Sequence, residues 1–423
     1  MKKLVTLLAA AGMVVAASAP ANAVDVKVSG FHAFTFETQQ QGFTGQNLEN
    51  ALQRTRLGLN FVASENLSGF LQFQMGTNEW GSYVDAQTEK GNKQGRVDVQ
   101  TRQAYVDWIV PGTSVKVRMG RQQVGLPGEA FGDSSVMSAG WGGRDGIAVS
   151  APVTDWLALN ALWVRAGVDG NSDLDEGHSS DVFGLAAPMK FNGFAVTPWV
   201  AYGALDKEAD DLTVAATGID ADADAYWAGV TATFTYFDPF TLKASFTYGS
   251  AEQQNGEKDI EGWNAQIKAS YKTAFGTPVL GGWYFSGADE DGEGWMPNAG
   301  YFAGTNHYYD GFANLVNPHG NTNNDGTWAV QAGIEGVSFL SNLTHDFHVT
   351  YLEGTNDKDA PRGTFTEDDA MVEISLNNVY KIYKNLAIRL ELAYIINDFS
   401  DAKQDAGQDE DDWFAGLTFD FRF

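Results

Sequence analysis

Asp412-Trp413-Phe414-Ala415-Gly416-Leu417-Thr418-Phe419-Asp420-Phe421-Arg422-Phe423 ends the chain. One parity holds Trp413, Ala415, Leu417, Phe419, Phe421 and Phe423. The other holds Phe414, Gly416, Thr418, Asp420 and Arg422. A period of two with one oily and one wet face reads as a strand. A strand crossing a membrane as part of a closed barrel needs about ten residues of this alternation, with aromatics at the lipid boundaries. The rival reading is an edge strand of a soluble β-sandwich. It leaves unexplained why an apolar face should run to a free end at Phe423.

The opposite end of the chain bears on this choice. Lys2 and Lys3 precede an apolar run from Leu4 to Ala17, followed by Pro20 and Ala21-Asn22-Ala23. A basic start, a short apolar core and a small-residue site predict a secretory signal peptide over residues 1–23, leaving 24–423 as the mature domain. No other run of 18 apolar residues exists, so a helical span is not expected. The chain has no cysteine, which excludes a disulfide framework and thiol chemistry. Its formal charge of −27 argues against a nucleic-acid partner, whose phosphates need a basic face.

Eighteen alternating segments are predicted, from Val24–Thr38 and Gln53–Ala63 through Leu386–Asn397 to the terminal one. Leu386, Ile388, Leu390, Leu392, Tyr394 and Ile396 alternate with Arg389 and Glu391. Leu57, Leu59 and Phe61 alternate with Arg56, Gly58 and Asn60. Charges on the second face would be costly in lipid, so that face lines water. Val97–Ile109 alternates poorly, which would suit a face turned to a neighbouring subunit. The connections sort by length. Turn residues such as Asn192-Gly193 and Asp238-Pro239 make short ones. Long acidic ones, such as residues 39–52, 79–96, 203–224 and 287–326, fall between them. The expected fold is all-β: a transmembrane antiparallel up-and-down barrel of 18 strands, with short turns on one side and long loops on the other.

The stretch after the fifth strand departs from that scheme. Residues 120–144 are rich in glycine, yet carry Val124, Leu126, Phe131, Val136, Met137 and Trp141. A loop wholly in water has no use for these side chains; one folded inward against a barrel wall does. Arg56-Leu57-Gly58-Leu59, Arg102-Gln103-Ala104-Tyr105-Val106, Met119-Gly120-Arg121-Gln122 and Arg144-Asp145-Gly146-Ile147-Ala148-Val149 surround it. These segments and the terminal Phe423 resemble the Gram-negative trimeric outer-membrane porins, with a further similarity to the homotrimeric porins of sulfate-reducing bacteria. General porins have 16 strands, which stands as the alternative count. The 18-strand count is also that of sugar-specific trimeric porins and of monomeric substrate-specific channels.

The resemblance implies an outer-membrane channel for small hydrophilic solutes and ions, in contact with lipid and lipopolysaccharide. It also implies a homotrimer and a terminal Phe423 read by the barrel-assembly machinery. At its neck, Arg56, Arg102 and Arg144, with Arg54 and Arg121 as additions, would face Glu129 and Asp133 on the inward loop. Opposed charges across a narrow lumen make a transverse field that polar solutes tolerate and apolar ones do not. The competing reading makes these arginines structural ion pairs within the barrel.

Other chemistry is sparsely signalled. His345 and His348 are the one close histidine pair, but positions i and i+3 of a strand point to opposite faces. No G-x-S-x-G, P-loop or H-E-x-x-H sequence occurs, so an enzyme is not expected, although barrel enzymes and closed-lumen adhesins share the architecture. No cofactor is expected. The acidic loop clusters Asp289-Glu290-Asp291, Asp357 to Asp359, Glu367-Asp368-Asp369 and Asp405 to Asp412 could hold Ca²⁺ through oxygen ligands.

Overall fold

The computed structural model describes residues 24–41, 46–81, 99–137, 143–168, 178–207, 209, 219, 221–298, 302, 304–305, 326–360, 365–401, 403 and 410–423. The predicted signal segment, Trp141, His307, His319 and acidic residues 405–409 lie outside the described residues.

Nineteen strand segments follow one another. They are β1 (Asp25–Gln41), β2 (Gln46–Ser64), β3 (Leu67–Glu79), β4 (Val99–Ile109), β5 (Lys116–Gln122), β6 (Arg144–Pro152), β7 (Ala158–Val168), β8 (Ser179–Ala186), β9 (Met189–Phe191) and β10 (Phe194–Leu205). Then come β11 (Ala223–Phe234), β12 (Phe240–Gln253), β13 (Ile260–Tyr271), β14 (Thr277–Phe285), β15 (Thr327–Leu340), β16 (Leu343–Gly354), β17 (Ala370–Tyr383), β18 (Leu386–Asp398) and β19 (Asp412–Arg422). Both β8 and β9 pair with β10. They are one span broken at Pro188, which has no N–H to give the ladder. The sheet therefore has eighteen spans, all antiparallel, and β19 pairs back onto β1 to close it.

The terminal stretch has the predicted parity. Phe414, Gly416, Thr418 and Asp420 are buried on the inner face, and their neighbours are half-exposed on the outer. Inside, the Thr418 and Thr35 hydroxyls meet at 2.7 Å, and Asp420 binds Arg389 at 3.1 Å and Arg422 at 2.8 Å. Outside, Val200, Phe246, Ile267, Leu280, Val330, Leu390 and Ile396 stand exposed. So broad an apolar band is stable only against lipid, which marks the wall as membrane-spanning. At the long-loop end, Tyr202, Tyr248, Tyr351 and Tyr394 donate their hydroxyls to Asp224, Glu261, Glu353 and Asp411 at 2.5–2.7 Å. At the short-turn end, Tyr236, Phe237, Phe275, Phe339 and Tyr383 are exposed. The two aromatic rings bracket the bilayer.

Three departures from the sequence reading have physical causes. Residues 39–52, read as a loop, are mostly ladder, because β1 and β2 keep pairing up to Gln41 and Gln46. The poor alternation of the fourth strand is a β-bulge. The β3–β4 register shifts between Gln72 and Phe73, leaving Arg102 as the extra residue. The connection after β14, read as a polar outer loop, also folds inward. Trp295, Met296 and Phe302 are buried, and the Trp227 indole donates to the Pro297 carbonyl at 2.7 Å.

Closure ends in two reciprocal backbone bonds, Gly30 N–H to Phe423 O at 2.9 Å and Phe423 N–H to Gly30 O at 3.0 Å. The Phe423 ring lies over Gly30, where an added Cβ would meet it at 2.7 Å and the Arg56 carbonyl at 2.3 Å. Deleting Phe423 removes two hydrogen bonds worth about 1 kcal/mol each, along with the ring's packing. Gly30→Val forces the ring and the neighbouring carbonyl apart. Both variants should yield less heat-modifiable folded barrel on semi-native gels than the parent, with total exported chain unchanged. Parental amounts of folded band in both would show that this closing contact is dispensable.

Candidate functional site

The basic wall rests on strand parity. Leu52 and Gly58 of β2 are buried on the inner face, so Arg54 and Arg56 point into the lumen between them. Arg54 donates from Nε to the Thr77 hydroxyl at 2.7 Å. Arg56 donates to Gln74 Oε1 at 2.8 Å, and its guanidinium lies 5.4 Å from the centre of the Phe31 ring. On β4, Gln103 faces inward and donates to Gln72 at 2.9 Å. Strict alternation would then turn Arg102 outward, but the bulge breaks the parity there. Its charge lies close enough to Arg54 and Arg56 to repel both. Arg144 pairs in register with buried Gln122 and shares its inner face. Four of the five predicted arginines therefore line one wall, β2–β6.

The fifth does not. Arg121 lies in register with Ala104 and Asp145, and the next residues on this face are the exposed Val106, Met119 and Ile147. It points to the outer surface and binds Asp145 at 3.1 Å. Arg165 and Asp181 continue the outer row with a 2.8 Å contact. The predicted place of Arg121 in the neck is corrected by this parity.

The loop after β5 folds inward as expected. Its two limbs meet at Leu126 N–H to Met137 O, 3.0 Å. Leu126, Val136 and Met137 join a buried cluster with Val164, Val182, Trp199 and Trp227 of the wall. Beyond this stem the loop crosses to the far side of the barrel. Thr231 on β11 donates to the Gly128 carbonyl at 2.7 Å. Ser245 on β12 accepts from Ala130 N–H at 3.1 Å, and Gln266 on β13 from Phe131 N–H at 3.0 Å. The Phe131 ring packs edge-on to Trp283 of β14, at 5.1 Å. With eighteen spans, β3 and β13 are nine apart, so the loop tip sits across the lumen from the arginines.

Glu129 and Asp133 part company at this tip. Asp133 is exposed on the loop, while Glu129 is only 6% exposed and faces the wall. Its carboxylate accepts from the Ser135 hydroxyl at 2.7 Å, Thr247 at 3.2 Å and Asn264 at 3.4 Å, and from the Gln266 amide. The expectation that Glu129 opposes the arginines across open water is corrected: it pins the loop. Burial pushes its carboxyl above the ordinary carboxylate range, although these hydrogen bonds favour the anion.

Residues not picked out in the sequence complete the lumen. Asp107 holds both Lys116 and Arg118, at 2.9 and 2.6 Å. Glu335 holds Lys268 at 3.0 Å and His348 at 3.3 Å. Phe302 packs on Trp283 and Phe285 at 5.1 and 4.8 Å, bringing the segment after β14 against the same wall as Phe131. His345 turns away from His348 and contacts Asn378 at 2.6 Å, as strand parity required. Among the acidic loops, carboxylates of Glu290, Asp357 and Asp359 lie within 4.8 Å of one another. Asp369 is instead buried against Lys403 at 2.6 Å.

The pinned carboxyl has a pH consequence. A folded-state pKa above the unfolded one makes the contribution of Glu129 to loop seating complete below the ordinary carboxyl range, and lost as pH rises through the folded value. Glu129→Gln retains the shape and should make the amide protection factors of residues 126–137, exchange rates taken relative to their intrinsic values at each pH, the same at pH 5 and pH 9, whereas in the parent protection falls at pH 9. Glu129→Lys buries an unpaired charge, at a cost of about 3–5 kcal/mol, and should free the loop at both pH values. Equal parental protection factors at both pH values would remove Glu129 as the pin.

Comparison with known proteins agrees with this architecture. The family profile described as Gram-negative porin matches residues 6–317. No curated protein sequence matches. Among solved structures, Acinetobacter baumannii OccAB4 superposes with a TM-score of 0.60 at 11% identity, covering 96% of this chain and 100% of that one. Pseudomonas aeruginosa OpdK, solved with vanillate, gives 0.59 at 15%, covering 94% and 98%. Pseudomonas aeruginosa OccK11 (OpdR) gives 0.58 at 12%, covering 94% and 96%. At these identities the likeness is one of fold. With the family match over residues 6–317, the closed barrel and the loop folded into its lumen, this chain belongs to the Gram-negative porins of the outer membrane.

Proposed function

We propose that the chain forms a water-filled channel for passive diffusion of small hydrophilic solutes and ions, with small anions favoured at its neck. The observation that carries this reading is the wall of Arg54, Arg56, Arg102 and Arg144 across from a pinned loop whose one buried acid, Glu129, is turned away. The whole chain is acidic at −27, but screening at physiological salt acts over about 8 Å. Charge at the constriction therefore outweighs charge on distant loops. Thr77 and Gln74 supply neutral oxygens to Arg54 and Arg56, which position these cations at the wall.

A substrate-specific channel is the second reading. Its support is the additional inward segment with Trp295, Met296 and Phe302, which gives the lumen more shape than a single loop would. A homotrimer fits the outer face of β2–β6. Here Arg121 and Asp145 share a ladder row with Ala104, Leu71 and Leu59. A charged pair level with aliphatic residues is better covered by another copy than by lipid. Lipopolysaccharide, bridged by divalent ions at the acidic loops, would be the partner on the long-loop side.

Reconstitution in planar bilayers tests these readings together. The parent should open in steps, three equal ones per insertion if trimeric, and its zero-current potential across a salt gradient should have the sign of anion preference. Arg56→Ala combined with Arg102→Ala should move that potential toward cations. A shift no larger than its error would mean that these arginines do not line the neck.

A further inference from the structure

Charge is sorted along the barrel axis. The long-loop end is acidic, with Asp289, Glu290, Asp291, Asp357, Asp359 and Glu410 in its connections. Among the described residues its lysines are Lys207, Lys258, Lys358 and Lys403. Two of these are held by acids, Lys258 by Asp291 at 2.7 Å and Lys403 by Asp369 at 2.6 Å.

The short-turn end has the opposite character, and its basic side chains line the lumen. Lys190 pairs in register with Ala195, which shares the parity of buried Trp199. Lys243 shares the parity of buried Ser245 and Thr247, and Lys381 that of buried Ser375 and Asn377. All three lie close to a short turn. They are exposed, and none is ion-paired with a described residue. The carboxylates of this rim have other partners. Asp107 holds Lys116 and Arg118. Glu335 holds Lys268 and His348, and Asp420 holds Arg389 and Arg422. Asp25 lies 3.9 Å from Lys27, and Asp346 accepts the Gly336 N–H at 2.6 Å. The turns add Glu65, Asp155 and Asp238 against Lys272 and Lys384. The rim keeps a positive surplus, in a chain whose formal charge is −27.

Fixed charge of opposite sign at its two ends makes a channel asymmetric to current. Each wall draws its counter-ion, so cations gather in the acidic vestibule and anions at the basic rim. A potential positive on the long-loop side drives both toward the neck, which fills with carriers. The reverse potential pulls both away and empties it. We propose that this channel rectifies. It carries more current when cations move from the long-loop side to the short-turn side, and anions move the other way, than under the opposite polarity. The inference rests on the channel reading.

Single channels of the full-length protein, recorded at equal and opposite voltages in symmetric KCl, test it. Step openings in 1 M KCl test the channel reading by themselves. In 0.1 M KCl the two polarities should differ roughly twofold or more, since wall potentials of several kT concentrate counter-ions strongly. The ratio should fall toward one in 1 M KCl, where the screening length shortens from about 10 Å to about 3 Å. Acidifying one chamber to about pH 3, below the ordinary carboxyl range, identifies the loop side, because rectification is lost only when the loops face that chamber. The larger current should flow with that chamber positive. Lys190→Gln, Lys243→Gln and Lys381→Gln combined should bring the ratio in 0.1 M KCl closer to one. Should that variant fail to fold, the salt and acid series on the parent decide. With step openings intact, three results would each overturn the proposal: equal currents at both polarities in 0.1 M KCl, a larger current with the long-loop side negative, or a ratio that neither 1 M KCl nor the triple substitution changes.

Discussion

Every backbone N–H and C=O within the lipid needs a partner from the chain, because hydrocarbon offers none. A sheet meets this demand only by having no edge, so everything else in this protein depends on β19 pairing with β1. That seam runs from Phe31 opposite Arg422 to Gln40 opposite Trp413, and ends in the reciprocal bonds between Gly30 and Phe423. Once the ladder is closed, lipid fixes the outward parity. Trp413, Leu417 and Phe419 must face out, and Thr418 and Asp420 are thereby committed to the lumen. The polar interior is thus a consequence of the apolar exterior.

Two local devices turn that lined tube into a shaped passage. One is the bulge in β4, which exempts Arg102 from strict alternation and adds it to Arg54 and Arg56. The other is the way the crossing loop is fastened. Its apolar stem packs on β7–β11, and its tip is held by hydroxyls and amides of Thr231, Ser245, Thr247, Asn264 and Gln266. These neutral partners place the loop without cancelling the arginines on the opposite wall. The carboxylate that would have opposed those arginines, Glu129, is buried among the same groups. The exposed acid at the loop tip is Asp133.

Much of this was legible in the sequence because a membrane barrel writes its constraint at every second residue. The eighteen spans, the terminal strand and the inward loop all follow from local alternation and from apolar side chains in a glycine-rich stretch. Arg121 was misplaced although its signal was present: Val117 and Met119 set the outer parity of β5, and Arg121 shares it. Glu129 could not have been placed that way, since Asn264 and Gln266 lie more than a hundred residues away in sequence. The segment after β14 is acidic overall, and Trp295 and Phe302 were the hint that it packs inside. Lys116, Arg118, Lys268 and His348 alternate inward like many polar residues. Only the ladder register shows which carboxylates they share.

The central claim is that the loop tip stands in the conducting path, across water from the arginine wall. The absence of cysteine allows a single thiol to be introduced and read without background. Asp133→Cys, modified with a bulky cationic methanethiosulfonate while one channel is recorded, should show a single lasting drop in current, whereas Tyr226→Cys on the outer face should show none. An Asp133→Cys channel that reacts fully yet conducts as before would place the loop tip outside the path, and would contradict the account.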